Sequence, residues 1–403
     1  MRLTPIALAV TLIACSGNAP STAQDQANLP PPYPDAQVPR NAPAGTVENV
    51  PATENRGNIT ATPAPFTVSE IGKFDTPFAM AFLPDGRLLV TEKAGKLKLR
   101  ATDGSVADVA GVPTIAAGGQ GGLLDVAIAP DFAKSKLVYI SYSEPGPGGR
   151  MLALARAKLD SSANPALQGL NVIWRSGSSG PGQHFGANIL FSPDGRYLFL
   201  SGGERQRFTP AQDLDQALGK ILRLTLDGKP APGNPMASAG GVKAATWSSG
   251  HRNPYGLAFT PDGQLWEAEM GPQGGDELNL IEPGKNYGWP LVSNGDNYSG
   301  QAIPDHPSRP DLTAPKLWWN PSISPGGMML YTGSMFPQYK GSLLLSALSG
   351  QGLVRIAVDG DKAHTADYWD MGTRIRDVAQ ASDGSIWLLG DGATATLMRL
   401  TPK

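Results

Sequence analysis

The feature that most constrains this chain is a hairpin pattern that recurs through its body. An apolar run, a turn containing Asp-Gly and a second apolar run appear in four clear copies: AFLPDGRLLVTE (81–92), ILFSPDGRYLFLSG (189–202), LAFTPDGQLWEAE (257–269) and AQASDGSIWLLGD (379–391). Asp-Gly between two β-prone runs is a strong hairpin signal, because glycine readily adopts the positive φ that the turn needs. Weaker copies lie at 126–142 and 356–361. The pattern predicts an array of small antiparallel sheets.

The spacing of the copies favours a β-propeller. Asp85, Asp131, Asp194 and Asp262 are 46, 63 and 68 residues apart, which matches propeller blades with unequal insertions. The length of the body suits six blades, or seven. The alternative, a β-solenoid, needs shorter and more regular repeats. One short helix is predicted at 211–219. We therefore predict an all-β, six-bladed β-propeller at 66–403, preceded by a signal peptide and a disordered tether.

Composition agrees with this prediction and excludes several classes of function. The 49 glycines and 37 prolines among 403 residues are typical of a turn-rich chain. A net charge of −2 provides no extended positive field, so we predict no nucleic-acid partner. The single cysteine excludes an intrachain disulfide and a cysteine-rich zinc site.

The N-terminus predicts export. Arg2 is followed by a short apolar run at 6–14, which is too short to span a bilayer and is typical of a secretory signal. The segment ending at Cys15 resembles the bacterial lipoprotein cleavage box. We therefore predict a signal peptide at 1–14, a lipid on Cys15 as the membrane contact, and a periplasmic protein anchored to the outer membrane; an ordinary signal peptide is the alternative. The Pro- and Ala-rich segment 15–65 is predicted to be a disordered tether.

Histidines offer one candidate for catalysis. His184 lies in GPGQHFGANILF, where flanking glycines allow a loop to present the imidazole just before a strand. Imidazole is suited to accepting a proton near neutral pH, although a structural hydrogen bond is the alternative role. His306 and His364 lie in loops rich in Pro and Asp and are expected at the surface.

Three further clusters carry polar groups. In SSGHRNPYGLAF, Arg252 and Asn253 can stabilise a carbonyl or developing negative charge, or can cap strand ends. In EMGPQGGDELNL (269–280), turn carbonyls and Asp276 suit a hard cation such as Ca²⁺, or form a solvated acidic loop. In GTRIRDV, Arg374 and Arg376 share one face of a predicted strand and suit an anion, with salt bridges to Asp377 or other acids as the alternative.

Together these segments resemble the soluble quinoprotein sugar dehydrogenases, in particular the aldose sugar dehydrogenases that use pyrroloquinoline quinone (PQQ). The resemblance extends from about Val68 to the C-terminus. It is carried by the order and spacing of segments such as GGQGGLLDVAIAPDF (118–132), QHFGANILFSPDG (183–195), GHRNPYGLAF (250–259), EMGPQGGDELNLIEPGKNYGWP (269–290) and RIRDV (374–378). Their family fold is a six-bladed β-propeller.

The resemblance implies a role for each matching residue. His184 matches the catalytic base that takes the proton of the sugar C1 hydroxyl while hydride passes to PQQ, giving an aldonolactone. Arg252 and Asn253 match residues at the quinone oxygens, with Arg252 contributing to catalysis. The remaining matches are residues that contact PQQ (Gln120, Arg374, Arg376) and residues that hold or surround its Ca²⁺ (Gly271, Pro272, Asp276, Tyr287). An external quinone or cytochrome would accept the electrons.

Some positions depart from this family pattern. Glucose dehydrogenases of the family place a lysine against PQQ, whereas 345–356 contains Ser349 and Gly350 instead. Glu204 stands where relatives often have aspartate. We therefore expect broad aldose selectivity. A calcium-dependent propeller lactonase and a non-catalytic binding propeller remain the alternatives.

Overall fold

A computed structural model describes residues 55–403, and it consists of six four-stranded antiparallel sheets. The predicted signal peptide, Cys15 and the predicted tether up to residue 54 lie outside the described residues. Within 55–403, no helix has both the length and the apolar character needed to cross a membrane.

The strands are numbered in chain order, and each sheet forms one blade. The first strand, β1 (Phe66–Phe74), belongs to the last blade. Blade 1 contains β2 (Pro77–Phe82), β3 (Leu88–Glu92), β4 (Lys96–Arg100) and β5 (Val106–Val109). Blade 2 contains β6 (Leu123–Ile128), β7 (Leu137–Gly146), β8 (Gly149–Asp160) and β9 (Ala166–Arg175). Blade 3 contains β10 (Gly186–Phe191), β11 (Tyr197–Gly202), β12 (Lys220–Thr225) and β13 (Thr246–Ser249).

Blades 4 to 6 follow the same order. Blade 4 contains β14 (Pro254–Phe259), β15 (Leu265–Glu269), β16 (Asp276–Ile281) and β17 (Leu317–Trp319). Blade 5 contains β18 (Pro325–Leu330), β19 (Leu343–Ala347), β20 (Gly352–Asp359) and β21 (Lys362–Asp370). Blade 6 contains β22 (Ile375–Gln380), β23 (Ile386–Gly390), β24 (Ala395–Pro402) and β1. Two short α-helical turns, Phe132–Ser135 and Gly241–Ala245, and four 3₁₀ turns, Thr209–Ala211, Ala237–Ala239, His306–Ser308 and Pro337–Tyr339, lie in loops.

The ring is closed by pairing the two ends of the body. Strand β1 runs antiparallel to β24, from the Phe66–Pro402 pair to the Phe74–Ala395 pair. The first strands of successive blades contact one another around the ring, and β22 contacts β2. These strands therefore line the centre of the molecule, and their buried apolar side chains form clusters between neighbouring blades. This confirms the predicted six-bladed propeller.

The recurring Asp-Gly pattern forms the turns between the first and second strands. In blades 1, 3, 4 and 6 the aspartate accepts a hydrogen bond from the N–H two residues later, and the following glycine has a positive φ; the aspartates are Asp85, Asp194, Asp262 and Asp383. The weaker copy at 126–142 has the same place in blade 2. The copy at 356–361 differs, since it connects β20 to β21 in blade 5.

Two expectations about local structure need correction. The predicted helix at 211–219 is absent, because a 3₁₀ turn at Thr209–Ala211 is followed by turns up to β12. The tether was expected to extend to residue 65, but residues 55–65 already contact the blades. Gly57 N donates to Trp318 O at 2.7 Å, and Thr62 N donates to Tyr368 O at 2.8 Å.

Candidate active site

The candidate residues gather at one end of the propeller. Gln120 precedes β6, His184 precedes β10, and Arg252 and Asn253 precede β14. Arg376 is the second residue of β22. Because the first strands line the centre, the segments that precede them meet at one end of the ring. The structure therefore brings Gln120, His184, Arg252, Asn253 and Arg376 together around one opening, the mouth of the propeller.

His184 is buried and paired with a carboxylate. Its side chain is 7% exposed, and Nδ1 lies in a short hydrogen bond with Oε1 of the fully buried Glu204. Burial, together with the positive charge of Arg252, lowers the pKa of His184 below its usual value. Burial disfavours the charged form of Glu204, but His184 and Arg252 bring its pKa below the usual value. A neutral imidazole therefore donates from Nδ1 to the carboxylate and leaves Nε2 as a proton acceptor.

Gln120 connects three elements of the mouth. Its Oε1 accepts from His184 N at 2.8 Å, from the Tyr255 hydroxyl at 3.2 Å and from Asn253 Nδ2 at 3.5 Å. Asn253 Oδ1 also accepts from Gly186 N at 3.2 Å. These bonds fix His184 and Asn253 relative to each other.

Arg252 is held between aromatic rings. Its guanidinium carbon lies 5.2 Å from the Trp289 ring centre and 5.8 Å from that of Tyr298, whose side chain is largely exposed. Nη1 donates to Met270 O at 2.9 Å, whereas Nε is buried and has no hydrogen-bond partner. The arginine is therefore positioned with donor capacity remaining, which suits a group that must meet negative charge.

The paired arginines converge on one carboxylate. Arg374 Nε donates to Asp391 Oδ2 at 2.7 Å, and Arg376 Nη2 donates to Asp391 Oδ1 at 2.7 Å. Arg374 immediately precedes β22, and its side chain is 46% exposed, compared with 12% for that of Arg376. The salt bridges expected as one alternative are present, with Asp391 as the acid. Both cations also remain beside the mouth.

The turn at 271–276 is the segment for which the sequence suggested a cation site. Asp276 organises this turn: Oδ1 accepts from Gly271 N at 2.8 Å, and Oδ2 accepts from Ser322 Oγ, Ile323 N and Ser324 N at 2.6–2.7 Å. Burial raises the pKa of Asp276 despite these donors. The Asp276 carboxylate is thus engaged by protein donors, and it shapes the turn.

The Tyr287 hydroxyl is engaged by backbone groups. It donates to Leu280 O at 2.5 Å and accepts from Glu282 N at 2.9 Å, at the far end of β16 from the 271–276 turn. The ring stacks on His251, with ring centres 4.9 Å apart. The hydroxyl is therefore not available to a cation at the turn.

A buried acidic cluster behind Arg252 was not predicted. Asn279 Nδ2 contacts carboxylate oxygens of Glu267, Glu269 and Glu277 at 3.1–3.3 Å. Burial, and next the charge of Glu269, raise the pKa of Glu267 well above its usual value. Glu269 Oε2 accepts from the backbone N–H groups of Arg252 and Asn253, so the cluster holds the segment that carries them. The alternation E-A-E at 267–269 is the sequence signal that could have indicated it.

The two remaining loop candidates, His306 and His364, differ in burial. His306 was expected at the surface, which is wrong: it is buried, and Nε2 lies 3.1 Å from Glu277 Oε1. Its loop folds back over β16, which a composition argument does not reveal. His364 is exposed, as expected, although it lies in strand β21 and not in a loop.

Two residues of the site were not predicted. Glu204 was noted only as a departure from the family pattern, without a role beside His184. Arg205 was not considered, and it donates to Gln183 O at 2.6 Å and to Pro181 O. Arg205 therefore braces the loop that leads to His184. The juxtaposition of residues 183–184 and 204–205 follows from the β10–β11 hairpin, and the polar residues after β11 were the available signal.

A model of the family described as Glucose / Sorbosone dehydrogenase matches residues 74–399. The chain belongs to the glucose/sorbosone dehydrogenase family. This finding confirms the resemblance drawn from the sequence and shows that the chain is an enzyme of the sugar dehydrogenase class.

Individual relatives agree with this membership. The family member aldose sugar dehydrogenase YliI of Escherichia coli is 39% identical over 355 residues, covering 85% of this chain and 95% of the relative. A crystal structure of the E. coli soluble aldose sugar dehydrogenase in the apo form superposes with a TM-score of 0.79 at 37% identity, covering 84% of this chain and 100% of that chain. The PQQ-bound aldose sugar dehydrogenase of Streptomyces coelicolor has a TM-score of 0.69 at 28% identity, covering 85% and 100%.

Proposed function

We propose that this glucose/sorbosone dehydrogenase family member oxidises the C1 hydroxyl of aldoses to aldonolactones, with PQQ and Ca²⁺ as cofactors. The observation that carries the proposal is the His184–Glu204 pair at the mouth, beside Arg252 and Asn253. A buried base with a fixed tautomer is what proton abstraction from a sugar hydroxyl requires.

His184 is the general base in this proposal. The C1 hydroxyl gives its proton to Nε2, while Nδ1–H remains bonded to Glu204. Glu204 then stabilises the imidazolium that forms, as a carboxylate does in other histidine-based sites. PQQ with Ca²⁺ supplies, when bound, an electrophilic quinone carbonyl that takes the hydride from C1. Arg252 and Asn253 present donors to negative charge that develops in the mouth.

The residues of the mouth fit an anionic quinone cofactor. The buried Nε of Arg252 has no partner, and Arg374 and Arg376 together carry more positive charge than Asp391 neutralises. Guanidinium groups suit the carboxylates of PQQ, and Gln120 offers a further polar contact. The carbonyls of Gly271 and Pro272 are the proposed Ca²⁺ ligands, because hard cations prefer oxygen.

The substrate and the cellular setting are further parts of the proposal. Selectivity among aldoses is expected to be broad, with an external quinone or cytochrome as electron acceptor. The N-terminal sequence supports the further proposal that the protein is exported to the periplasm and anchored to the outer membrane by a lipid on Cys15.

The decisive experiment is dye-linked oxidation of a panel of aldoses by residues 55–403 prepared without cofactor. Ca²⁺ and PQQ are added separately and then together, and PQQ binding is titrated in parallel. Activity that requires both supports the proposal. Lack of activity and of PQQ binding would reject it, and hydrolysis of sugar lactones with Ca²⁺ alone would identify a lactonase. Binding of a sugar without turnover would favour a binding propeller.

A further inference from the structure

Positive charge is concentrated on one side of the mouth, where blades 1 and 6 meet. Arg374 and Arg376 lie here beside the carboxylate of Asp391, and Lys93 follows β3 of the neighbouring blade. Both Asp391 oxygens are already engaged by the arginines. Burial is the main cause that lowers the pKa of Lys93, and the charge of Arg376 lowers it further, while Asp391 opposes the shift.

The backbone of Lys93 is fixed against the segment that carries Gln120. Lys93 N donates to Thr76 O at 3.0 Å, and Lys93 O accepts from Leu123 N at 3.2 Å. A Cβ on Gly122 would lie 2.4 Å from Lys93 O, so the two segments are in direct contact. Lysine follows the last residue of β3, and its position relative to the mouth is set by these contacts.

The ammonium group of Lys93 lies next to the mouth with little to neutralise it. Nζ donates to Gly119 O at 2.8 Å, one residue before Gln120. Among residues 55–403, no carboxylate forms an ion pair with Lys93. An ammonium has further N–H donors to satisfy, and partial burial without an anion is unfavourable. The local excess of cations over carboxylates is the feature expected of a site for an anionic ligand.

We propose that Lys93 binds a carboxylate of PQQ, together with Arg376, on the Gln120 side of the mouth. This inference rests on the proposed function, since it names a residue that would hold its cofactor. PQQ is a tricarboxylic quinone, and its charge matches the excess of cations. The carbonyl of Gly119 orients the ammonium and keeps it on the segment that positions Gln120.

The test is a titration of the cofactor-free protein with PQQ in the presence of Ca²⁺, followed by tryptophan fluorescence. Lys93→Gln removes the charge, Lys93→Arg keeps it, and Lys96→Gln is the matched control, because Lys96 is an exposed lysine in the same hairpin. We expect Lys93→Gln to weaken PQQ binding about tenfold or more, as for loss of a charge-assisted hydrogen bond. Lys93→Arg should lose much less affinity, and Lys96→Gln should bind like the unmodified chain.

The trimethyl ester of PQQ separates a charge effect from a structural one. The preference for PQQ over the ester should fall in Lys93→Gln if the ammonium meets a carboxylate. Equal losses for PQQ and the ester, or unchanged PQQ affinity in Lys93→Gln, would overturn the inference. Thermal unfolding checks the fold, and Lys93→Met provides a second neutral variant. Failure of the unmodified chain to bind PQQ would instead reject the proposed function.

Discussion

At the scale of single residues, the site depends on a neutral imidazole and an ionised carboxylate that lie side by side in a buried environment. Burial and Arg252 keep His184 neutral, whereas Glu204 partly opposes this by favouring the imidazolium. Glu204 itself remains ionised because His184 and Arg252 outweigh the effect of its burial. The base is thus free to accept a proton at neutral pH, and its partner is ready to stabilise the cation that results.

This arrangement predicts a specific pH dependence. The active form has neutral His184, so kcat/KM should rise with pH through the His184 pKa, with a midpoint below the ordinary value of 6.5. Glu204→Gln removes a charge that favours the imidazolium, so the midpoint should move to lower pH. Turnover at neutral pH should fall about tenfold or more, since the tautomer is no longer fixed. A pH–rate profile of both proteins measures this, and an unchanged midpoint would exclude the proposed pairing.

Removing the base tests its role directly. His184→Ala should reduce kcat by about 10²–10⁴-fold, the usual contribution of general-base catalysis, while PQQ binding persists. His364→Ala is the control, because that histidine is exposed in β21, and we expect it to retain normal turnover. Turnover of His184→Ala comparable to that of the control would contradict the assignment.

At the scale of elements, buried aspartates join neighbouring blades at their first strands. Asp377 of β22 accepts from Met80 N of β2 at 2.8 Å, and Asp125 of β6 accepts from Ile189 N of β10 at 2.6 Å. Burial is the main cause that raises the pKa of Asp125 to about 7 and that of Asp377 to about 8. Both lie in ladders whose register shifts near the start of the first strand, where a bulge turns the side chain toward the next blade.

Asp377→Ala should lower the free energy of unfolding by about 1–3 kcal/mol, because Met80 N–H would lose its partner inside the protein. Urea unfolding measures the change, and Asp359→Ala at the exposed end of β20 is the control. In the folded protein the pKa of Asp377 is about 8, which exceeds the ordinary value of 3.8. Unfolding therefore releases protons between these values, and stability should fall as pH rises through this window. The decrease of stability with rising pH should be smaller in Asp377→Ala. If stability is unchanged and its decrease with pH equals that of the unmodified chain, Asp377 does not join the blades as described.

At the scale of the whole molecule, the closed ring is reinforced by the segment that precedes β1. Residues 55–65 contact blades 4 and 5 through Trp318 and Tyr368. Ile59 packs on the cluster between these blades, and Ala64 packs on the cluster between blades 5 and 6. The segment therefore crosses several blades on the outside of the ring.

Deleting residues 55–65 should lower the melting temperature by several degrees and leave the propeller folded. The chain starting at 66 retains the β1–β24 pairing but loses the backbone hydrogen bonds of Gly57 and Thr62. Thermal unfolding of chains starting at 55 and at 66 measures the difference, with kcat as a check on the mouth. Identical melting temperatures would show that the segment does not contribute to stability.

The hairpins of the blades were predictable from the sequence, because a turn between adjacent strands depends on a few neighbouring residues. Asp85, Asp194 and Asp262 each indicated a hairpin through local geometry alone. The resemblance to known dehydrogenases then allowed His184 and Arg252 to be named, since family motifs keep their order along the chain.

Tertiary structure decided which partners these residues have. Glu204 meets His184 across a hairpin, and Asp391 meets Arg376 across another, so neither pairing is visible in a local window. Burial of His306 and the use of the Tyr287 hydroxyl by Leu280 also depend on how distant loops pack. Hydrogen-bond partners and desolvation are set by three-dimensional neighbours, and ring closure brings together residues that the chain order keeps far apart.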